Sequence, residues 1–147
     1  MRADPNEFLE LDLRCHSLLD DVPLHDVWAI PLDGGGPDRT IEDVRAVASI
    51  ERAQPNVAVR ALFVLRRALG FVFRWDEDRA KWASDSYASR LTEEDRARSS
   101  VEPGTREGLF RNLYVFPDEA LAEARNATVH GFLATALVPR PGGYLLY

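Results

Sequence analysis

Cysteine occurs once in the 147 residues, at Cys15, so no internal disulfide can form and the chain suits a reducing, cytoplasmic setting. Basic charge is also short. Lys and Arg number 18 against 24 Asp and Glu, for a formal charge of −6 and a pI near 5.1. Affinity for a phosphate backbone comes from counterions displaced by Lys and Arg, so nucleic acid is a poor partner. Uncharged apolar runs are missing too: the longest apolar stretch, Val57 to Phe73, carries Arg60, Arg66 and Arg67. Each arginine would cost about 2.5–3.5 kcal/mol at mid-bilayer, which argues against a membrane span. The N-terminus turns acidic within seven residues and lacks the apolar core of a signal peptide. Histidine is scarce, and none of His16, His25 and His130 stands three or four residues from another histidine or a cysteine. No zinc site is therefore legible, and nothing implies a cofactor.

What is present is ordinary globular composition, 46% hydrophobic and 29% charged. A chain of this length can bury about two-thirds of its unfolded surface, so residues 1–147 read as a single domain that folds without staples. Phe8 to Leu19 mixes leucines with acids in a pattern that decides between neither helix nor strand. Leu24 to Leu32 favours a strand through Val27, Trp28 and Ile30, and exits into Asp33-Gly34-Gly35-Gly36-Pro37. Thr40-Ile41-Glu42-Asp43 supplies a cap and first-turn acids for a helix to about Arg52. Val57 to Trp75 reads as a second, mostly buried helix with Arg60, Arg67 and Arg74 along its outer edge.

Leu91-Thr92-Glu93-Glu94-Asp95 repeats the cap pattern for a short helix to about Ser99, and Glu102-Pro103-Gly104-Thr105 is a turn. Strands follow. Alternation places Phe110, Asn112, Tyr114 and Phe116 on one face, with Leu109, Arg111, Leu113 and Val115 on the other. Glu119 to Arg125 suits a helix by propensity, but acids and arginine alternating with alanines favour a strand. Thr128 to Val138 is a strand, Pro139 to Gly143 a turn, and Tyr144 to Tyr147 a last strand. A block of helices before a meander implies an α+β fold, with helices covering an antiparallel sheet.

The candidate chemistry is thin. The glycine run fits neither a dinucleotide nor a phosphate-loop spacing, no Lys follows it, and Glu42 and Asp43 stand where an anion would sit, so it reads as a plain turn. Cys15 and His16 are adjacent, and adjacent residues rarely face each other as nucleophile and base. Glu119 and Glu123 share a strand face with Arg111 and Arg125 available to neutralise them, which reads as a solvated face. His130 shares a face with Phe132, Ala134 and Ala136. An imidazole among apolar neighbours suits a general acid or base, though such a residue is more often a hydrogen-bonded structural histidine.

His25-Asp26-Val27-Trp28, the stretch Ser89 to Ser99 (SRLTEEDRARS), Pro103-Gly104-Thr105 and Asn126-Ala127-Thr128-Val129-His130 together resemble a bacterial family of domains of unknown function, number 2867. Its members look like relatives of the SRPBCC or START superfamily. That likeness implies a helix-grip-like fold, here a curved antiparallel sheet with two N-terminal helices packed on it and an apolar cavity beside it. It also implies a further aromatic strand segment and a long C-terminal helix beyond Tyr147. Without that helix the cavity would stand open, to be covered by a partner chain or not closed at all.

The resemblance, with the aromatic strands, leads to a binding module for a small apolar or amphipathic molecule lined by Trp28, Tyr114, Phe116, His130 and Phe132. The superfamily also contains cyclases, dehydratases and lyases, which would make His130 the catalytic residue, assisted by Tyr114 or Asp26. A third expectation is an interaction module without ligand, a homodimer formed through an open edge at Tyr144 to Tyr147.

Overall fold

The computed structural model describes residues 1–48, 86–108, 110–125 and 129–147. The helix expected over Val57 to Trp75 and its arginine stripe lie outside the described residues. So do the end of the preceding helix, Leu109, Asn126, Ala127 and the first residue of the strand expected from Thr128. In chain order the elements are α1 (Pro5–Leu9), α2 (Arg14–Leu18), β1 (Ile30–Asp33), α3 (Ile41–Ala48), a 3-10 turn (Tyr87–Arg90) and α4 (Glu93–Arg98). Strands β2 (Arg106–Glu107), β3 (Phe110–Val115), β4 (Glu119–Arg125), β5 (His130–Arg140) and β6 (Gly143–Leu146) follow. The expected α+β class holds: the strands form one curled antiparallel sheet in the order β1-β6-β5-β4-β3-β2, a half-barrel flanked by short helices.

Turn chemistry sets the register. Phe116 N–H donates to Glu119 O at 2.7 Å across Pro117 and Asp118, closing a tight β3–β4 connection in which proline pre-sets the first central residue. Pro141 and Gly142 (φ +83°) occupy the positions of a type II turn between β5 and β6. The long β5 serves both halves of the sheet: residues 130–136 pair with β4, and Leu137 to Arg140 pair with β6. In turn, β6 pairs with β1 as well as β5.

The C-terminal strand is therefore not the open edge expected from its place in the sequence. Among the described strands the edges are β1 and β2, and β1 carries Pro31, which removes one edge donor. Two other expectations are corrected. The first strand is short, starting at Ile30, while Trp28 makes only an isolated bridge with Arg2. In β3 the register shifts between Asn112 and Tyr114, so that Asn112 faces Ala122 and Tyr114 faces Leu121. The extra residue of this bulge breaks the alternation, leaving Asn112 and Tyr114 on opposite faces.

The core lies on both sides of the sheet. One cluster joins Phe8, Cys15, Leu18, Val27 and Leu91 to Leu113, Tyr114, Phe116 and Leu121, so the ambiguous Phe8–Leu19 stretch resolves into two short helices packed on that face. On the other face Ile41 of α3 meets Val115, Ala120, Leu137 and Tyr144. Full burial of side chains this size stabilises by about 1.5–3 kcal/mol each. The Tyr144 hydroxyl accepts from Arg39 N–H at 3.0 Å and donates to Gly36 O at 3.1 Å. The glycine-rich stretch is thus pinned as a turn leading into α3.

Thr92 and Asp95 form the capping box that opens α4. Arg14 reaches across from α2 to grip both Asp95 oxygens, Nε to Oδ1 at 2.9 Å and Nη2 to Oδ2 at 2.8 Å. This guanidinium bond, with help from the Thr92 backbone, holds the Asp95 carboxyl down at about 2 against the opposing effect of burial. A depressed carboxylate contributes its stability fully above the unfolded value near 3.9 and loses it as pH falls through the folded one. The contribution of Asp95, about 2 kcal/mol, should be lost between pH 5 and pH 2, so the fall in stability over that range, followed by urea unfolding, should be smaller in Asp95→Asn than in the wild type. A β-carbon at Gly143 would stand 2.1 Å from the Leu32 carbonyl oxygen. Gly143→Ala should therefore lower stability by roughly 2–3 kcal/mol through loss of the β1–β6 pairing, read by thermal or urea unfolding.

Candidate functional site

Strand β4 was readable in full from alternation, Glu119 to Arg125, but its acids do not form a solvated face. Glu119 is 4% exposed and Glu123 is 0%. An isolated carboxylate at such depth is strongly penalised, so each must find donors. Glu119 finds three: Arg14 N–H at 2.9 Å, Cys15 N–H at 2.8 Å and the Tyr114 hydroxyl. Leu13, the N-cap of α2, offers no side-chain cap, and this carboxylate from a strand about a hundred residues later takes its place. Burial and then Glu119 push the Tyr114 phenol well above its ordinary value. Tyr114 is thus a neutral donor locked in the interior, stacked on Phe116 at 4.3 Å.

The same carboxylate disposes of Cys15. Burial first, then Glu119, drives its thiol up to about 12, and its sulfur stands 3.9 Å from His16 Nδ1. A neutral, buried thiol is not a nucleophile.

Glu123 lies four residues further along the same face. Its Oε2 accepts from Ser86 Oγ at 2.5 Å, and its Oε1 lies 2.6 Å from His130 Nε2. Register explains the reach: Glu123 is directly opposite Phe132 and Arg125 opposite His130, so His130 is the diagonal neighbour of Glu123. Ser86 caps the 3-10 turn by accepting from Ala88 N–H at 3.1 Å. The His130 side chain is 33% exposed, so the pair runs from a sealed carboxylate to an accessible ring.

Aromatic groups frame that ring. Tyr87 meets His130 edge-on at 5.5 Å and Phe132 at 4.7 Å, while His130 and Phe132 are 4.9 Å apart. Behind Tyr87, the Arg90 guanidinium lies 3.7 Å from the ring centroid and binds both oxygens of Asp21 at 2.7 and 2.6 Å. The Tyr87 hydroxyl also reaches Asp21, at 3.1 Å. The Arg90 bonds, then Tyr87, hold Asp21 down at about 2, so the clamp is charged at any ordinary pH.

Of the five residues expected to line a ligand site, the fold brings together His130 and Phe132. Tyr114 and Phe116 are wholly buried, 0% and 1% exposed. Trp28 is exposed elsewhere and gives its indole N–H to Asp26 at 2.8 Å. Asp26 is also paired with Arg2 at 2.9 Å. The partner of His130 is therefore Glu123, neither Tyr114 nor Asp26. Ser86, Tyr87, Arg90 and Asp21 carried no sequence signal for this role, because nothing local links residues 86–90 to a carboxylate 33 or more positions later. Among the described residues no three His, Cys, Asp or Glu side chains converge to hold a metal ion, and no helix is long and apolar enough to cross a membrane.

The profile of the family described as "Protein of unknown function (DUF2867)" matches residues 18–147, and the chain belongs to that family. Comparisons with curated proteins and with solved structures return no significant match. Parts of the chain that suggested the family are structural ties. Within Ser89 to Ser99, Arg90 binds Asp21, Leu91 enters the core, Thr92 and Asp95 cap α4, and Arg98 reaches Asp118 at 3.2 Å.

The two carboxylates predict opposite mutational signatures. Glu119→Gln should cost roughly 1–3 kcal/mol by weakening the α2 cap, measured by urea unfolding, while leaving the ring resonances of Tyr87, His130 and Phe132 in place in an NMR spectrum. Glu123→Gln should shift those resonances strongly.

Proposed function

We propose that this member of the DUF2867 family binds a small amphipathic molecule against the sheet at Tyr87, His130 and Phe132. One observation carries the reading: a partly exposed imidazole is fixed by a fully buried carboxylate and bordered by aromatic rings. A buried acid that ends on an accessible ring beside aromatic groups fits a binding site, where a few placed polar groups converge among apolar ones. Rings on two sides supply apolar contact, and the imidazole supplies a polar handle. Tyr114 and Phe116 support the site from within the same core, without touching the ligand. A helix-grip relationship is part of the proposal, and its support is the curled antiparallel sheet.

Phenylacetate and phenylacetone are suitable probes, each with one ring and one polar group. Titration of the full chain by NMR should give saturable shifts of the Tyr87, His130 and Phe132 ring resonances. In Phe132→Ala, checked for folding by circular dichroism, affinity should drop about tenfold, equivalent to ~1.4 kcal/mol. Absence of saturable shifts up to the solubility limit of both probes, or an affinity unchanged by Phe132→Ala, would refute the reading.

A further inference from the structure

This inference rests on the binding reading above and concerns what the same residues do to the bound molecule. The Ser86 oxygen already accepts from Ala88 N–H at 3.1 Å, so its own proton turns toward Glu123 Oε2, 2.5 Å away. That oxygen is therefore an acceptor, and the second oxygen of Glu123 faces His130 Nε2 at 2.6 Å, where an ionised Glu123 can only accept. In the neutral ring the proton then sits on Nε2, and Nδ1 carries the lone pair. No described residue bonds Nδ1, and the side chain is 33% exposed. Nδ1 is thus the ring nitrogen left for a bound molecule, and an ionised Glu123 at Nε2 would balance the imidazolium once a proton is taken. A buried acid orients a catalytic histidine in the same way in serine hydrolases.

The neighbouring groups narrow the chemistry. Ser86 is 2% exposed and gives its proton to Glu123, not to His130, so it is not a nucleophile activated by the imidazole. Cys15 is buried beside Glu119, away from this pair. Among the described residues neither Ser86 nor Cys15 is therefore placed as a nucleophile for acyl transfer, while proton transfer needs only the imidazole. Flat aromatic neighbours at Tyr87 and Phe132 suit a planar, conjugated species.

We propose that His130 is a catalytic acid–base acting on an enolisable carbonyl compound with an apolar body, and that Glu123 and Ser86 are its positioning residues. Nδ1 takes the proton from the carbon next to the carbonyl. The C–H electron pair becomes the C=C bond of an enolate as the carbonyl π pair moves onto oxygen. The Nδ1–H exchanges with solvent water and a proton is then returned to carbon as the charge on oxygen collapses into the carbonyl, so the only net change is exchange of the carbon-bound hydrogen with solvent.

Deuterium exchange at the α-carbon of phenylacetone in D2O, followed by proton NMR with the full chain, tests this. The protein should accelerate exchange in proportion to its concentration. His130→Ala, with His130→Asn as a second variant, should lose about a hundredfold or more of the protein-dependent rate. Glu123→Gln and Ser86→Ala should lower kcat with little change in the phenylacetone dissociation constant, a split that loss of folding would not produce. Phenylacetone that binds at Phe132 but exchanges no faster than in buffer overturns the acid–base role and leaves the binding reading standing. Exchange that persists in both His130 variants also overturns the acid–base role. Failure of phenylacetone and phenylacetate to bind at all overturns both.

Discussion

Two carboxylates buried on one face of a single strand are the constraint around which the described structure is arranged. A sealed carboxylate without donors would cost several kcal/mol, so each dictates what surrounds it. Glu119 recruits the first turn of α2 and the Tyr114 hydroxyl, which fixes the N-terminal helices onto the sheet. Arg14, whose backbone N–H meets Glu119, then sends its side chain to Asp95 and couples the arrangement to α4. Glu123 is satisfied by Ser86 and His130, which tethers residues 86–90 to the start of β5. Identical residue types four positions apart thus serve different ends, because one is met by interior groups and the other by a ring that reaches the surface.

Periodicity and turn chemistry made much of the framework legible. Alternation from Glu119 to Arg125 identified β4 to the residue, and Thr92 with Asp95 marked α4 as a capping box does. The parts that were not legible depend on tertiary pairing. A bulge at Leu113 depends on the partner strand and leaves no local mark, so alternation misassigned Asn112. The last strand looked like an edge because the chain stops after it, yet β1 from the other end of the sequence closes over it. Phe8 to Leu19 had no clear period because its helices are five residues each and take their stability from packing and from Glu119.

The site was half legible for the same reason. His130 and Phe132 stood out as an imidazole and a ring on one strand face, and β5 does present them together. What gives His130 its character is Glu123, whose alternation with alanines read as a solvent-facing pattern. Burial of that face depends on Ser86, Tyr87 and the Asp21–Arg90 clamp, which arrive from distant segments. Tyr114 and Phe116 were equally prominent in sequence, but a stacked pair at the centre of the core serves cohesion, not contact with a ligand.

The central claim is that Glu123 fixes the accessible imidazole in one tautomer. A long-range proton–nitrogen NMR spectrum of the 15N-labelled chain, taken where the His130 ring is neutral, reads this directly. The account predicts a protonated Nε2 and an unprotonated Nδ1, with the preference lost in Glu123→Gln. A proton on Nδ1, or a wild-type spectrum that already averages the two tautomers as the variant does, would contradict it.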